Sequence, residues 1–306
     1  MVSALIADLF ESHRGHLLSV AYRLTGSVGD AEDAVQESWL RLAGTHQSEI
    51  DDLRDWLTAT VSRICLDHLR TTATRRETYV GQWLPEPIVT GVAPSGRPDP
   101  LESVVRGAEY RMAAMVALDG LTPPQRVAFV LHDGLAVPFE EIAEILGVST
   151  DDVRLLATQA REAVAGAPSA VADAEHEAAV RRLLAALAAD DVDAVAKALH
   201  PEAVLIGDAN GTTSTVVKIV GGAERIARFM LELVHTYGIG ASEQAATRYE
   251  FATVNGQLGL VMNLDSETEE QDWHPARVVG FTVRDELVWG TYDHANPAKL
   301  TGVRLS

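Results

Sequence analysis

The sequence has little cysteine, few aromatic residues and no long apolar run. A single cysteine, Cys65, cannot form an internal disulfide and is consistent with a reducing cytoplasm. No stretch approaches the ~18 apolar residues that a membrane-spanning helix needs, and Asp8 and Glu11 interrupt a signal-peptide pattern. We therefore expect a cytoplasmic protein, and 306 residues allow two or three domains.

Basic residues are also scarce, with 25 Lys and Arg against 44 Asp and Glu and a net charge of -19. This charge argues against tight unaided binding to duplex DNA, because neutralised phosphates supply most of such affinity. The exception is the stretch from Arg63 to Arg76, in which four arginines accompany one acid, Asp67. Such a strip can contact DNA when another protein provides most of the binding energy.

A helix with one acidic face is predicted from Asp30 to Arg41. Gly29 and Asp30 supply a start signal, and apolar residues follow at helical spacing. The opposite face, called the acidic face below, carries Glu32, Asp33, Gln36 and Glu37. Complementary charge would guide this face onto a basic partner helix. An ordinary solvated helix surface is the alternative interpretation.

Two further helices complete a predicted N-terminal domain. The first spans Leu5 to Leu24 and is expected to bury Leu9, Leu17, Val20 and Leu24. The other spans roughly Leu53 to Arg70, and its outer positions hold Arg54, Thr60, Arg63, His68 and Arg70.

A proline- and glycine-rich segment follows from Tyr79 to Pro100, and this composition predicts a linker without regular structure. It contains Trp83-Leu84-Pro85-Glu86-Pro87. An exposed indole is unfavourable, so we expect this part of the linker to pack on a domain; a merely local contact is the alternative.

The stretch from Phe139 to Val153 has the pattern of a helix-turn-helix motif. Gly147 makes the turn, Ser149 and Asp152 cap the second helix, and Val153 packs back on the first. The second helix, Thr150 to Val164, presents Arg154, Thr158 and Arg161 along one stripe, where they can meet base edges and phosphates in a major groove.

After a second hinge at 165–174 the sequence becomes α+β. Strands are predicted at 204–206 and 215–220, and hairpins at 245–264 and 277–291, the first turning at Asn255-Gly256. Helices followed by a curved antiparallel sheet suggest a cone that encloses a pocket.

The motif Asp-Ala-Glu-Asp-x-Val-Gln-Glu, from Asp30 to Glu37, resembles the polymerase-docking segment of extracytoplasmic-function (ECF) sigma factors. The last third resembles SnoaL-like domains of the nuclear-transport-factor-2-like superfamily, and Trp83 to Pro87 resembles the linker motif of the ECF group that carries such a domain. The resemblance implies a multidomain protein with two all-α sigma domains, the second helix-turn-helix, followed by an α+β cone-shaped SnoaL-like domain. The implied domains are 1–78 (sigma region 2), 79–104 (linker), 105–166 (sigma region 4) and 167–306 (SnoaL-like regulatory domain).

The same resemblance implies a function and partners. The protein would bind core RNA polymerase, with its acidic face on the coiled coil of the largest subunit, and direct initiation at promoter DNA. The SnoaL-like domain would control it in cis, with no separate anti-sigma protein. Implied contacts to the -10 element are Trp56, Thr60, Arg63, Arg70, Arg75 and Arg76, and those to the -35 element are Arg154, Thr158 and Arg161. Implied interdomain regulatory contacts are Trp83, Leu84, Pro85, Asp208, Asn296, Pro297 and Lys299.

Two motifs depart from the group. Its Asp-Gly-Gly-Gly-Lys corresponds here to 208–212, where the lysine is absent, and its Asn-Pro-Asp-Lys-Leu corresponds to 296–300, where Ala298 replaces the acid. An acidic loop at 265–272 is also longer than is usual in the group. The mode of regulation is therefore left open by the sequence.

The sequence is compatible with two other functions. SnoaL relatives include enzymes, and candidate acid–base groups here are Asp208, His235, Asp272, His274, Tyr292 and Asp293. Their spacing does not demand catalysis, and we expect no enzyme activity, metal or cofactor. A small-molecule ligand in the cone of the C-terminal domain, acting as a signal, is the other alternative.

Overall fold

The computed structural model describes residues 2–46, 50–76, 79–90, 107–212, 215–240, 245, 247–262, 276–301 and 303. The chain divides into two compact units. Unit 1 contains Met1–Thr78, Pro98–Glu109 and Ala114–Ala167, and unit 2 contains Tyr79–Arg97, Tyr110–Ala113 and Pro168–Ser306. Within the described ranges, no helix is long and apolar enough to cross a membrane.

Unit 1 is helical. Its helices are α1 (Val2–Thr25), α2 (Val28–Gly44), α3 (Leu53–Arg76), α4 (Met112–Asp119, whose first two residues belong to unit 2), α5 (Pro123–Leu135), α6 (Phe139–Leu146) and α7 (Thr150–Val164).

The first three helices pack together around an apolar core, as the sequence predicts. Gly26, with φ of 70°, ends α1, and the Ser27 hydroxyl accepts a hydrogen bond from the Asp30 amide (3.2 Å) to cap α2. One inward position was predicted wrongly, because Leu9 is 45% exposed and its neighbour Phe10 is buried. Phe10 lies against Trp39 of α2, with 5.2 Å between ring centroids. The inward position near the start of α1 is therefore one residue later than the sequence predicts.

The predicted helix-turn-helix is confirmed in α6 and α7. Gly147 takes φ of 70° in the turn, and Ser149 and Asp152 form the reciprocal capping box. Helix α5 packs on α1 and α3 within the same unit, and α6 also packs on α3. Arg126 of α5 is buried and donates from Nη1 to the Leu24 carbonyl oxygen of α1 (3.0 Å).

Unit 2 contains the remaining elements. They are β1 (Val89–Thr90), α8 (Asp173–Ala188), α9 (Val192–Ala198), β2 (Leu199–Asp208), β3 (Val220–Gly221), α10 (Ala223–Tyr237), β4 (Ile239–Gly240), β5 (Thr247–Val254), β6 (Gln257–Met262), β7 (Arg277–Arg284) and β8 (Leu287–His294), with short 3-10 helices at Ala108–Tyr110, which spans the boundary of the two units, and Pro297–Lys299.

The strands form one mixed sheet in the order β1-β5-β6-β7-β8-β2-β3, with β4 beside β5. An antiparallel sheet was expected; β5 to β8 are antiparallel in sequence order, but β2 runs parallel to β8 and β4 parallel to β5, so the sheet is mixed. Helices α8, α9 and α10 pack with the sheet around a core that includes Leu183, Leu205 and Phe281.

Three predictions about the strands have clear outcomes. The Asn255-Gly256 hairpin is confirmed, with φ of 47° and 78° at the two turn residues. The strand predicted at 215–220 was wrong, since only Val220–Gly221 is extended in the ladder. The linker was expected to lack regular structure, yet Val89 and Thr90 pair with β5 as β1. A short edge strand forms wherever a neighbouring strand has unpaired backbone groups. The proline content of the linker does not show whether such a neighbour is present, so the sequence does not predict β1.

Candidate functional site

The acidic face of α2 is solvent-facing. Glu32, Asp33 and Gln36 are exposed, while Glu37 is partly exposed and pairs with Arg41 at 2.5 Å. The opposite side buries the apolar stripe that the sequence predicts, so the two faces are cleanly separated. Leu40, one turn beyond Gln36, is 62% exposed and extends the face with an apolar patch.

The predicted -10 contacts on α3 are not all on its surface. Arg63 and Arg70 are exposed, the latter 3.5 Å from Asp67, and Trp56 is half-buried. Thr60 is only 5% exposed, so its predicted outer position was wrong. Helix α3 is packed by α5 and α6 as well as by α1 and α2, which leaves fewer outer positions than a simple three-helix domain. The side chains of Arg75 and Arg76 lie outside the described residues.

The stripe on α7 is exposed, but acids of the same unit engage its arginines. Arg154 lies 2.9 Å from Asp151 and 3.7 Å from Glu140, and Nε of Arg161 donates to Asp133 at 2.6 Å. The Thr158 hydroxyl donates to the Arg154 carbonyl oxygen (2.9 Å). These pairs lower the free positive charge that α7 offers to phosphate.

In unit 2, the predicted regulatory residues come together around one buried carboxylate. Asp208, at the end of β2, is 0% exposed. It accepts hydrogen bonds from the Leu84 amide (2.7 Å), the Tyr79 hydroxyl and the Lys299 ammonium (2.6 Å). Leu84 and Pro85 are themselves buried. We call this cluster the Asp208 anchor, because it fastens the start of the linker to the C-terminal sheet.

Lys299 completes the Asp208 anchor from the last 3-10 helix. Its ammonium also donates to the Leu84 carbonyl oxygen and lies 3.8 Å from the centroid of the Trp83 ring. This places a cation against an aromatic face and a buried carboxylate at once. Asn296 donates to the Tyr79 hydroxyl (2.8 Å), whereas Pro297 is exposed. Lys299 therefore supplies a positive charge beside Asp208, although the lysine of the 208–212 motif is absent.

A second fastening point, which sequence analysis missed, is the turn of the β5–β6 hairpin. Asn255 is 0% exposed; its Oδ1 accepts from the Ile88 amide (3.0 Å) and its Nδ2 donates to the Tyr110 carbonyl oxygen (2.9 Å). Arg111 donates to the Gly256 carbonyl oxygen (2.7 Å) and pairs with Asp173 (2.8 Å). We call this cluster the Asn255 anchor. The Asn-Gly pair predicts the turn, but it does not predict that the Asn255 side chain is buried and hydrogen-bonded to Ile88 and Tyr110.

The Asn255 anchor touches both ends of the segment that joins the two helical domains. Ile88 precedes residues 91–106, and Tyr110 follows them. Together with the Asp208 anchor and strand β1, it fixes 79–90 and 110–113 to the C-terminal domain. Tyr79 is a further residue that the sequence analysis did not select. Its position four residues before Trp83, next to the linker motif, could have indicated that it contacts the same domain.

The candidate catalytic groups do not meet in one place. His235 and Asp293 line a cavity in unit 2, Asp208 belongs to its anchor, and Tyr292 is buried with its hydroxyl 3.4 Å from that of Thr282. Burial raises the pKa of Tyr292 to about 12. Asp272, His274 and the acidic loop lie outside the described residues. Within the described part of the chain, no group of three or more His, Cys, Asp and Glu side chains forms a potential metal site.

Comparisons with known proteins agree with the helical architecture. The family model "Sigma-70 region 2" matches residues 9–75, and "Sigma-70, region 4" matches residues 111–164. The ECF RNA polymerase sigma factor SigJ of Mycobacterium tuberculosis is 48% identical over 97% of this chain and 93% of its own length. The probable ECF RNA polymerase sigma factor SigI of the same species is 32% identical over 74% of this chain and 76% of its own length.

The likeness extends to the whole fold. The crystal structure of M. tuberculosis SigJ superimposes with a TM-score of 0.79 at 46% identity, covering 98% of this chain and 100% of that chain. The similarity therefore covers both sigma regions and the α+β domain that follows them. The chain belongs to the ECF sigma factors of the sigma-70 family, in the group with a fused C-terminal SnoaL-like domain, and is an RNA polymerase sigma factor.

Proposed function

We propose that this sigma factor docks on core RNA polymerase through the acidic face of α2 and that its C-terminal domain restrains it in cis. The docking partner is the coiled coil of the largest polymerase subunit. Exposure of Glu32, Asp33 and Gln36, with Leu40 beside them, supports this assignment. Charge would steer the encounter, and the apolar patch would add buried area after contact.

Promoter contacts are assigned by the same proposal to α3 and α7. The -10 element would meet Trp56, Arg63, Arg70, Arg75 and Arg76, without the buried Thr60, and the -35 element would meet Arg154, Thr158 and Arg161. Flipped single-stranded bases stack on aromatic and cationic side chains, which suits the half-buried Trp56 and, about two helical turns away, the exposed Arg63. The ion pairs of Arg154 and Arg161 favour weak contact that depends on polymerase.

Unit 1 as folded is too small to contact both promoter elements at once. The elements are centred about 25 base pairs apart, which is about 85 Å of B-form DNA. A compact body of about 140 residues has a radius of gyration of about 14–15 Å, and therefore a diameter near 40 Å. Regions 2 and 4, which contact each other through Arg126 and Leu24, must separate before initiation.

The two anchors supply a restraint on that separation. They hold the linker start at Leu84 and Ile88 and its far end at Tyr110, all on the C-terminal domain. While both anchors persist, the end of region 2 and the start of region 4 stay tethered to fixed points on one domain, which limits how far the two regions can separate. We therefore assign the C-terminal domain an inhibitory effect, exerted without a separate anti-sigma protein. The observation that carries this assignment is the buried Asp208–Lys299 pair closing over Leu84.

The test is transcription in vitro with bacterial core polymerase. Because the residues do not specify the promoter, fragmented genomic DNA would serve as template, and transcript 5′ ends would be sequenced. We would compare the full chain with Lys299→Met, which weakens the Asp208 anchor, and with Lys197→Met, a control at an exposed lysine of α9.

We expect specific start sites with all three proteins and more transcript with Lys299→Met alone. No start site above the core-polymerase background, despite folded protein, would refute the promoter and polymerase assignments. Equal transcript from Lys299→Met and Lys197→Met would refute control through the anchor. Less transcript from Lys299→Met would reverse the sign, making the domain an aid to initiation.

A further inference from the structure

The outward face of α7 is centred on a leucine rather than on an arginine. Leu155 is 56% exposed. It lies two residues after Val153 and two before Ala157, which are both 0% exposed. Successive residues turn by about 100° around a helix, so Leu155 points about 200° away from each of these buried neighbours. Leu155 therefore lies in the middle of the surface that α7 presents.

The two arginines of α7 lie to one side of this centre. Arg154 and Arg161 are roughly 100–120° around the helix from Leu155. On that side Glu140 of α6 lies 3.7 Å from Arg154, and Asp133 of α5 accepts a hydrogen bond from Arg161 at 2.6 Å. Because both guanidinium groups are turned toward neighbouring helices, they are better placed for phosphates at the edge of a groove than for bases at its floor.

The polar groups that flank Leu155 are already engaged within the same unit. The Thr158 hydroxyl, one turn later, donates to the Arg154 carbonyl oxygen (2.9 Å). The Asp151 carboxylate, one turn earlier, accepts from Nη1 of Arg154 (2.9 Å). Base readout by either group would have to replace one of these contacts. An apolar contact by Leu155 would replace none of them.

An aliphatic side chain matches one feature of the major groove, which is the C5-methyl group of thymine. The other base-edge groups are hydrogen-bond donors and acceptors, and leucine would desolvate them without replacing their bonds to water. Leu155 is the sixth of the 15 residues of α7, in the half of a recognition helix that approaches base edges.

We propose that Leu155 reads a thymine of the -35 element through its C5-methyl group. The contact determines the base at that pair, while Arg154 and Arg161 hold the helix on the phosphates. This assignment rests on the proposed promoter function of α7, and it adds a specificity-determining residue that the sequence motifs do not mark.

Uracil differs from thymine only by the missing C5-methyl group, so it tests this contact at the level of one carbon atom. Promoters found by the mapping of transcript 5′ ends would be synthesised with each thymine of the -35 element replaced in turn by uracil. Fluorescence anisotropy would measure their binding to core polymerase carrying the full chain. We expect one position at which uracil weakens binding about fourfold, the factor for burial of one methyl group. At that position 5-methylcytosine should bind better than cytosine.

Two variants assign the effect to Leu155. Leu155→Ala should bind thymine and uracil promoters equally, because it removes the side chain that contacts the methyl group. Alanine is a strong helix former and the position is exposed, so the melting temperature should not fall. Val192→Ala shortens an exposed apolar side chain of α9 and should keep the fourfold preference for thymine.

Three results would overturn the proposal alone, in the presence of mapped start sites. The first is a -35 element without thymine. The second is equal binding of every uracil promoter and its thymine parent by the full chain. The third is a thymine preference that survives in Leu155→Ala, which would assign the methyl contact to another side chain. Absence of any start site would instead refute the promoter function of the chain, and the proposal with it.

Discussion

Replacing Lys299 by methionine should loosen the linker by about two orders of magnitude. The Lys299 ammonium lies 2.6 Å from Oδ2 of Asp208, whose side chain is 0% exposed. Methionine is an unbranched apolar side chain one atom shorter than lysine, so it leaves a buried carboxylate without its cation. Such a loss costs about 3–5 kcal/mol. The remaining donors from Leu84 and Tyr79 place the expected value near the lower end, and about 3 kcal/mol corresponds to a factor of roughly 100.

Hydrogen exchange read by mass spectrometry can measure this change directly. The Leu84 amide donates to Asp208, so its exchange reports opening of the Asp208 anchor. We expect exchange of a peptide containing Leu84 to accelerate about 100-fold in Lys299→Met, while peptides from α1 to α3 keep their rates. Lys197→Met removes an exposed lysine and should change neither.

An unchanged Leu84 exchange rate in Lys299→Met would refute the reasoning. The double variant Asp208→Asn with Lys299→Met separates charge from packing. A neutral amide needs no cation, so much of the lost protection should return. If it does not return, Lys299 acts mainly through its contact with the Trp83 ring.

Three further outcomes follow from charge and burial. Asp33→Lys on the acidic face should weaken core polymerase binding at least tenfold without shifting the melting temperature. The control Asp193→Lys, at an exposed position of α9, should leave polymerase binding unchanged. Equal binding of the two variants would contradict the docking assignment. Asp133→Asn should release Arg161 and raise the affinity for promoter DNA about threefold in fluorescence anisotropy, with a steeper salt dependence; no change would mean that the pair does not limit DNA contact. Burial lowers the pKa of His294 to about 3. Below about pH 6.5 the unfolded chain therefore binds a proton at this imidazole that the folded chain does not bind. The free energy of unfolding should fall by up to about 1.4 kcal/mol per pH unit between pH 6.5 and 3. In urea denaturation His294→Phe should reduce that slope, and an identical slope would refute the contribution.

The sequence predicts the helical elements well because their signals are local. The apolar period of α2, the Ser149–Asp152 capping box of α7 and the Asn255-Gly256 turn each lie within a few residues. The residues that form the Asp208 anchor, except Tyr79, were also selected, but through resemblance to a family. Nothing in their spacing along the chain indicates that Asp208 and Leu84, 124 residues apart, lie together.

What the sequence concealed depends on contacts between distant segments. Strand β1 exists because β5, more than 160 residues later, offers a free edge to Val89. Thr60 is buried because α3 has neighbours beyond its own three-helix domain. Asn255 is read locally as a turn residue, and its buried amide is recognised only when Ile88 and Tyr110 are in place.

The pairing of β1 with β5 makes the linker an internal peptide ligand of the C-terminal domain. In β-augmentation an extended peptide adds a strand to a sheet edge, and here the same chain provides both partners. Tethering of this kind gives an effective concentration in the mM range for a short flexible connection. A free peptide of residues 79–90 would therefore displace the native strand only at mM concentrations. A fragment beginning at Pro168 would instead expose the edge of β5 and should bind that peptide readily, or pair with the edge of a second fragment.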